Sequence, residues 1–118
     1  MPLHALGVDR PLATIKAELF KALGHPVRVR TLELLVERDR QVSELLAELD
    51  IEPSHLSQHL AVLRRAGVVT ALREGNAVRY SLALPAVADM LAAARTVLTD
   101  ALTRSQDTLS DLEREALR

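Results

Sequence analysis

Cysteine is absent from the 118-residue sequence. No disulfide can therefore brace the fold, and no thiolate is available to hold a soft metal or sense an oxidant. No apolar run approaches the ~18 residues of a membrane-spanning helix. The start lacks the basic segment and apolar stretch of a secretory signal, so a cytoplasmic location with no membrane partner is expected. Charge of one sign is lacking as well. Fifteen basic side chains stand against 16 acidic ones, a formal net charge of −1, which by itself does not suggest a nucleic-acid binder. The length fits one domain with a limited core of its own.

The distribution of charge says more than its total. Residues 53–80 carry four basic and one acidic side chain, a local +3, while residues 1–52 and 81–118 are each −2. A basic patch on an otherwise acidic chain is a footprint of an electrostatic partner, although a solvated surface accounts for it equally well.

Hydrophobic periodicity predicts a mainly α fold with a two-stranded β wing. Residues 1–11 contain Pro2, Gly7 and Pro11 with no apolar period and read as a mobile arm. Leu12, Ile15, Leu19 and Leu23 recur at helical spacing, and Gly24 ends that helix. Pro26 suits the first turn of the next one, which runs to about Glu37. A polar stretch from Glu37 to Gln41 precedes a short helix, Val42–Leu49. Asp50-Ile51-Glu52 is a tight connection, and Pro53 opens a helix ending at Gly67. The period then changes to two. Leu72, Val78, Tyr80 and Leu82 are assigned to one face of a hairpin and Arg73 and Arg79 to the other, with Gly75-Asn76 as its turn. Pro85 starts a long helix whose apolar stripe is Val87, Leu91, Ala94, Leu98 and Ala101. The domain is placed at 12–105, with a helical extension or tail at 106–118.

A short helix, a three-residue turn and a second helix make a helix-turn-helix; the hairpin makes it winged. At ~100° per residue, Leu56, Leu60 and Leu63 fall in one arc of the second helix. Ser54, Ser57, Gln58, Ala61 and Arg65 point the opposite way, with Arg64 at the flank and His55 at the edge. An ordinary amphipathic helix exposes Glu and Lys. This one exposes hydroxyls, an amide and arginines, and no acid occurs between Pro53 and Arg73. Those groups suit a major groove, where Gln pairs with adenine, Ser with either base, and Arg with guanine or phosphate. Arg73, Asn76 and Arg79 on the wing complete the candidate DNA-binding set. His55 can touch DNA or stay solvated. His59, between the core and the exposed face, reads as a structural residue that orients the helix, and His25 as a helix-start residue.

Val42-Ser43-Glu44-Leu45 and the run from Ser54 to Val69, with its Ser-x-x-Ser-x-His-Leu-x-x-Leu core, resemble the ArsR/SmtB winged-helix repressors. Leu23-Gly24-His25-Pro26-Val27-Arg28-Val29-Arg30 is similar to a second hallmark, and Gly75-Asn76 and Arg79-Tyr80-Ser81-Leu82 match the wing. The resemblance covers roughly residues 12–105. It implies a homodimeric bacterial transcription regulator, expected to be a repressor, that recognises an inverted repeat in double-stranded DNA. Leu12, Ile15 and Leu19, with Val87, Leu91, Ala94 and Leu98, are expected to form the dimer interface.

The sensor positions depart from the family pattern. Members that sense soft metals carry Cys-Val-Cys where this chain has Gln41-Val42-Ser43. Zinc-sensing members carry Asp-x-His and His-x-x-Glu/His where it has Leu84 and Ala86, then Val97 and Asp100. One carboxylate of four ligands is not a zinc site, so no cofactor is expected at the family positions. His4 offers a different site. With the initiator Met removed, the terminal nitrogen of Pro2, the amides of Leu3 and His4 and the imidazole form four in-plane nitrogen ligands suited to Ni(II) or Cu(II); an arm without function is the plainer alternative. No grouping of nucleophile, base and acid suggests an enzyme. A protein-interaction module, docking a partner or co-regulator through the winged helix, is the alternative to DNA binding. The low net charge favours it; the acid-free helix and the wing arginines oppose it.

Overall fold

The computed structural model describes residues 11–117. The arm expected at residues 1–11, His4 included, lies outside them apart from Pro11. The order of elements is α1 (Leu12–Leu23), α2 (Pro26–Glu37), β1 (Arg40–Gln41), α3 (Val42–Leu49), α4 (Pro53–Arg65), β2 (Val69–Glu74), β3 (Ala77–Leu82) and α5 (Ala86–Ala116). The chain forms two compact units, one ending at Leu84 and the other beginning at Pro85.

Local chemistry accounts for most of the boundaries. His25 caps α2: its Nδ1 accepts from the Val27 amide at 3.1 Å, and Pro26 occupies the first turn, where a missing N–H costs nothing. At the far end of α2 the last carbonyls need partners from beyond the helix, and the Arg38 amide donates to one of them, Leu34 O, at 3.4 Å. Arg40 Nε donates to the same oxygen at 3.3 Å, and Glu37 lies 3.6 Å from its guanidinium. Arg40 is thus buried but paired. α3 begins where the Gln41 amide donates to the Glu44 carboxylate at 3.1 Å, with Arg38 2.7 Å from that carboxylate. Arg38 first, and then the Gln41 amide, hold the Glu44 carboxyl below its usual range. α3 ends at Asp50, in the left-handed region at φ 51°; Asp tolerates that conformation, and the chain turns at once into α4.

α4 closes with capping bonds from the residues that follow it. Gly67 takes φ +77°, its amide donates to Arg64 O at 2.9 Å, and the Val68 amide donates to Leu63 O at 3.2 Å. Those two bonds satisfy carbonyls that the helix end would leave open and send the chain straight into β2.

The hairpin is present as expected, and β1 adds a short third strand. The sheet is antiparallel in the order β1-β3-β2, with Arg40 opposite Tyr80 and Gln41 opposite Arg79. The polar stretch that precedes α3 is therefore partly strand. The register corrects the assignment of wing faces. Leu72 lies opposite Arg79, and Arg73 lies opposite Val78. Directly paired residues share a face, so Leu72 belongs with Arg79, while Arg73 belongs with Val78, Tyr80 and Leu82. The reason is the two-residue turn: alternation holds within each strand, but crossing Gly75-Asn76 pairs Glu74 with Ala77 and reverses the parity. Of the two turn residues only Gly75 takes a positive φ, +61°.

The core of the first unit is mostly aliphatic: Leu32, Leu34 and Leu35 from α2, Leu45 from α3, and Leu56, Leu60 and Leu63 from α4, with Val68, Val69 and the aromatic Tyr80. α5 is continuous across residue 105 and, at 31 residues, spans about 46 Å. Its Val97, Leu98, Leu102, Leu109 and Leu112 are exposed. Among the residues expected to face a partner, Leu12, Ala94 and Leu98 are exposed and Ile15, Leu19 and Leu91 half-buried. Val87 is the exception. Its exposure is 3%.

Leu45 has no exposed surface, and Leu45→Ala should lower the unfolding free energy by about 2–5 kcal/mol. Leu72, exposed at 57%, should tolerate alanine with a change within about 0.5 kcal/mol. Urea unfolding of the two variants checks both values.

Candidate nucleic-acid interface

α4 divides as the wheel requires. Leu56, Leu60 and Leu63 are at most 3% exposed, while Ser54, His55, Ser57, Gln58, Arg64 and Arg65 are exposed and Ala61 is half-buried. Six polar side chains therefore share the outer surface of one helix, and the two arginines stand in its last turn, where cations complement the helix dipole. Hydroxyl, amide, imidazole and guanidinium groups together can donate to and accept from base edges and donate to phosphates.

The rotation and position of α4 are tied to the first two helices by Arg28. Its Nε donates to Ala22 O at 2.6 Å and its Nη2 to Lys21 O at 3.3 Å, both at the C-terminal end of α1. Its Nη1 lies 3.2 Å from His59 Nδ1 on α4. Guanidinium only donates, so His59 Nδ1 accepts and the ring proton sits on Nε2. The His25 ring packs beside it, centroid to centroid 4.3 Å and tilted by 42°. His25 Nδ1 is likewise an acceptor. Burial first, and then the positive potential of His25, Arg28 and His55, hold the His59 pKa below its usual value. His59 thus orients the helix in its neutral form. Arg28 carried no local signal of this role, because its imidazole partner lies 31 positions away.

The wing presents its charges unequally. Arg73 is exposed, and no carboxylate pairs with it among the described residues. Arg79, on the opposite face, is 3.0 Å from Glu74, with both side chains about two-fifths exposed. The two are diagonal neighbours across the hairpin. Asn76 is exposed in the turn. The structure therefore brings Ser54, His55, Ser57, Gln58, Arg64 and Arg65 together on α4 and separates Arg73 from Arg79 on the wing. Glu74 is a contributor that alternation of residues along each strand, without the register, does not reveal.

Comparison with known proteins gives the same picture. A family model described as bacterial regulatory protein, arsR family, matches residues 25–71. The chain is 57% identical over 105 residues to an uncharacterized HTH-type transcriptional regulator, Rv0081, of Mycobacterium tuberculosis, covering 88% of this chain and 92% of that protein. The crystal structure of M. tuberculosis Rv0081 matches with a TM-score of 0.76 at 58% identity, covering 81% of this chain and 97% of that one. The HTH-type transcriptional repressor SmtB of M. tuberculosis is 42% identical over 74 residues, which is 63% of this chain and 55% of that protein. A homodimeric winged helix-turn-helix DNA-binding domain from Mycobacterium bovis, solved by NMR, matches at 29% identity with a TM-score of 0.71, covering 79% of this chain and 86% of that one.

The His59 contact makes stability depend on pH in a definite direction. A pKa lowered by folding contributes stability above the unfolded value, ~6.5, that is lost as pH falls through the folded value. Stability should therefore drop between pH 7 and pH 5. Glu44, whose carboxyl is held below its usual range, stays ionised across that window. Urea midpoints at the two pH values should differ more for the wild type than for His59→Gln, which keeps an acceptor for Arg28 but cannot be protonated; equal differences would detach the effect from His59.

Proposed function

The chain belongs to the arsR family of bacterial regulatory proteins, winged helix-turn-helix transcriptional regulators rather than enzymes, and from that premise we propose that it represses transcription by binding an inverted-repeat operator as a homodimer. α4 enters the major groove, with Gln58 reading a base edge and Ser54 and Ser57 beside it. Arg64 and Arg65 meet the backbone, and the wing lies along it. The observation that carries this reading is the acid-free outer surface of α4, with its hydroxyls, amide and paired arginines. The sign of regulation follows the repressor SmtB among the relatives.

The homodimer rests on apolar surface that a single chain leaves uncovered. Leu98, Leu102, Leu109 and Leu112 lie exposed along α5, and Leu12 and Phe20 along α1. A second copy covers such faces at the lowest cost in new sequence, and a closed twofold pair is the commonest arrangement. Twofold symmetry sets two recognition helices about 34 Å apart, one turn of DNA, which is why the operator is an inverted repeat. The M. bovis domain, itself homodimeric, supports this assembly.

Soft-metal sensing at the start of α3 does not fit the residues there. Gln41 and Ser43 supply an amide and a hydroxyl, and Glu44 is engaged by Arg38 and the Gln41 amide. Thiolate ligands are what select soft metals, and the chain contains no cysteine. The regulator acts without arsenic, lead or cadmium at that position.

Gln58→Ala should weaken binding to a duplex selected from a random pool by roughly 1–3 kcal/mol and relax the preference at one base position; unchanged affinity and preference would refute the docking of α4. Leu98→Glu should convert the dimer to monomer in light scattering at micromolar concentration, and a wild-type monomer there would refute the assembly.

A further inference from the structure

The wing of this chain carries two arginines, and one of them is occupied. Arg79 Nε lies 3.0 Å from a Glu74 carboxylate oxygen, on the face of the hairpin that also bears Leu72. Arg73, on the other face, is exposed and meets no carboxylate among the described residues. Glu74 is the first acid after Glu52, and it stands beside the turn that forms the tip of the wing. We infer that Glu74 competes with the DNA backbone for Arg79 and so limits how strongly the wing grips any duplex. The inference rests on the reading that the wing lies along DNA.

The physical argument is one of substitution. A phosphate and a carboxylate recruit a guanidinium by the same charge-assisted hydrogen bonds. For Arg79 to reach phosphate it must give up Glu74 or share its donors with it, while the carboxylate repels the approaching backbone. The contacts are exposed, so the pair itself is worth little to folding. Its consequence, among the described residues, is a wing that presents one arginine without a carboxylate partner instead of two. Phosphate contacts are sequence-independent, so Glu74 lowers affinity for operator and for bulk DNA alike. It thereby restricts occupancy of nonspecific sites, and base contacts on α4 carry the discrimination.

The test needs no knowledge of the operator. Binding of a labelled 30-base-pair duplex of mixed sequence is measured across a salt series for wild type, Glu74→Gln, Arg79→Gln, the double variant Glu74→Gln/Arg79→Gln, and Arg73→Gln. Glu74→Gln should tighten binding by roughly two- to fivefold, the scale of an exposed ion pair. It should also steepen the slope of log affinity against log salt by about 0.9, one further phosphate neutralised. The gain should vanish in the double variant. A gain that survives without Arg79 overturns the inference, because Glu74 would then act by repulsion alone. If Arg73→Gln weakens binding while Glu74→Gln changes nothing, the wing touches DNA and the inference about Glu74 is wrong. If no wing variant changes affinity or slope, the wing does not lie along DNA, and both fall.

Discussion

Arg28 is a donor without acceptor capacity, and wherever its guanidinium lies it must find oxygen or nitrogen lone pairs. It finds two carbonyls at the end of α1 and the Nδ1 of His59 on α4. The consequence reaches the interface. Leu56, Leu60 and Leu63 set the depth of α4 against the core, but apolar contact is non-directional, and three similar leucines do little to fix rotation. A hydrogen bond of defined length and angle does fix it. The proposed readout of a base edge by Gln58 would depend on that fixed rotation, since a bidentate contact is lost when its donor and acceptor are misaligned.

The same economy governs charge. Arg30, Arg38 and Arg40 each lie within 4.0 Å of a carboxylate, whereas Arg64, Arg65 and Arg73 face none among the described residues. Exposed pairs contribute little to stability, about 0–1 kcal/mol. Their effect is on where positive potential remains. Because charges beyond about 8 Å are screened at physiological salt, the near-neutral total matters less than the acid-free stretch from Pro53 to Arg73. A chain of net charge −1 can thus present a DNA-binding surface.

Much of the architecture was legible because its causes are local. The apolar spacing of α1, the prolines opening α2 and α4, and the outer surface of α4 all follow from a fixed rotation per residue. Gly67 ends α4 by a conformation that glycine adopts freely. β1 was not legible: two residues carry no period, and Arg40 and Gln41 become a strand only because β3 offers them an edge. Val87 fits the helical stripe of α5 yet is 3% exposed where Leu98 is 64% exposed, since periodicity reports a face and not the exposure of each residue on it.

The helix-turn-helix, the acid-free surface of α4 and the lack of thiolates are readable along the chain, because each depends on residue type and spacing within one element. The tertiary structure decided which partners meet across elements. It placed His59 against Arg28 from 31 positions away, and it put Arg73 and Arg79 on opposite faces of the wing. It also set Glu74 against Arg79. The physical reason is common to all three. Alternation and helical pitch fix directions within an element, whereas register and packing fix directions between elements, and those are settled only when the chain closes on itself.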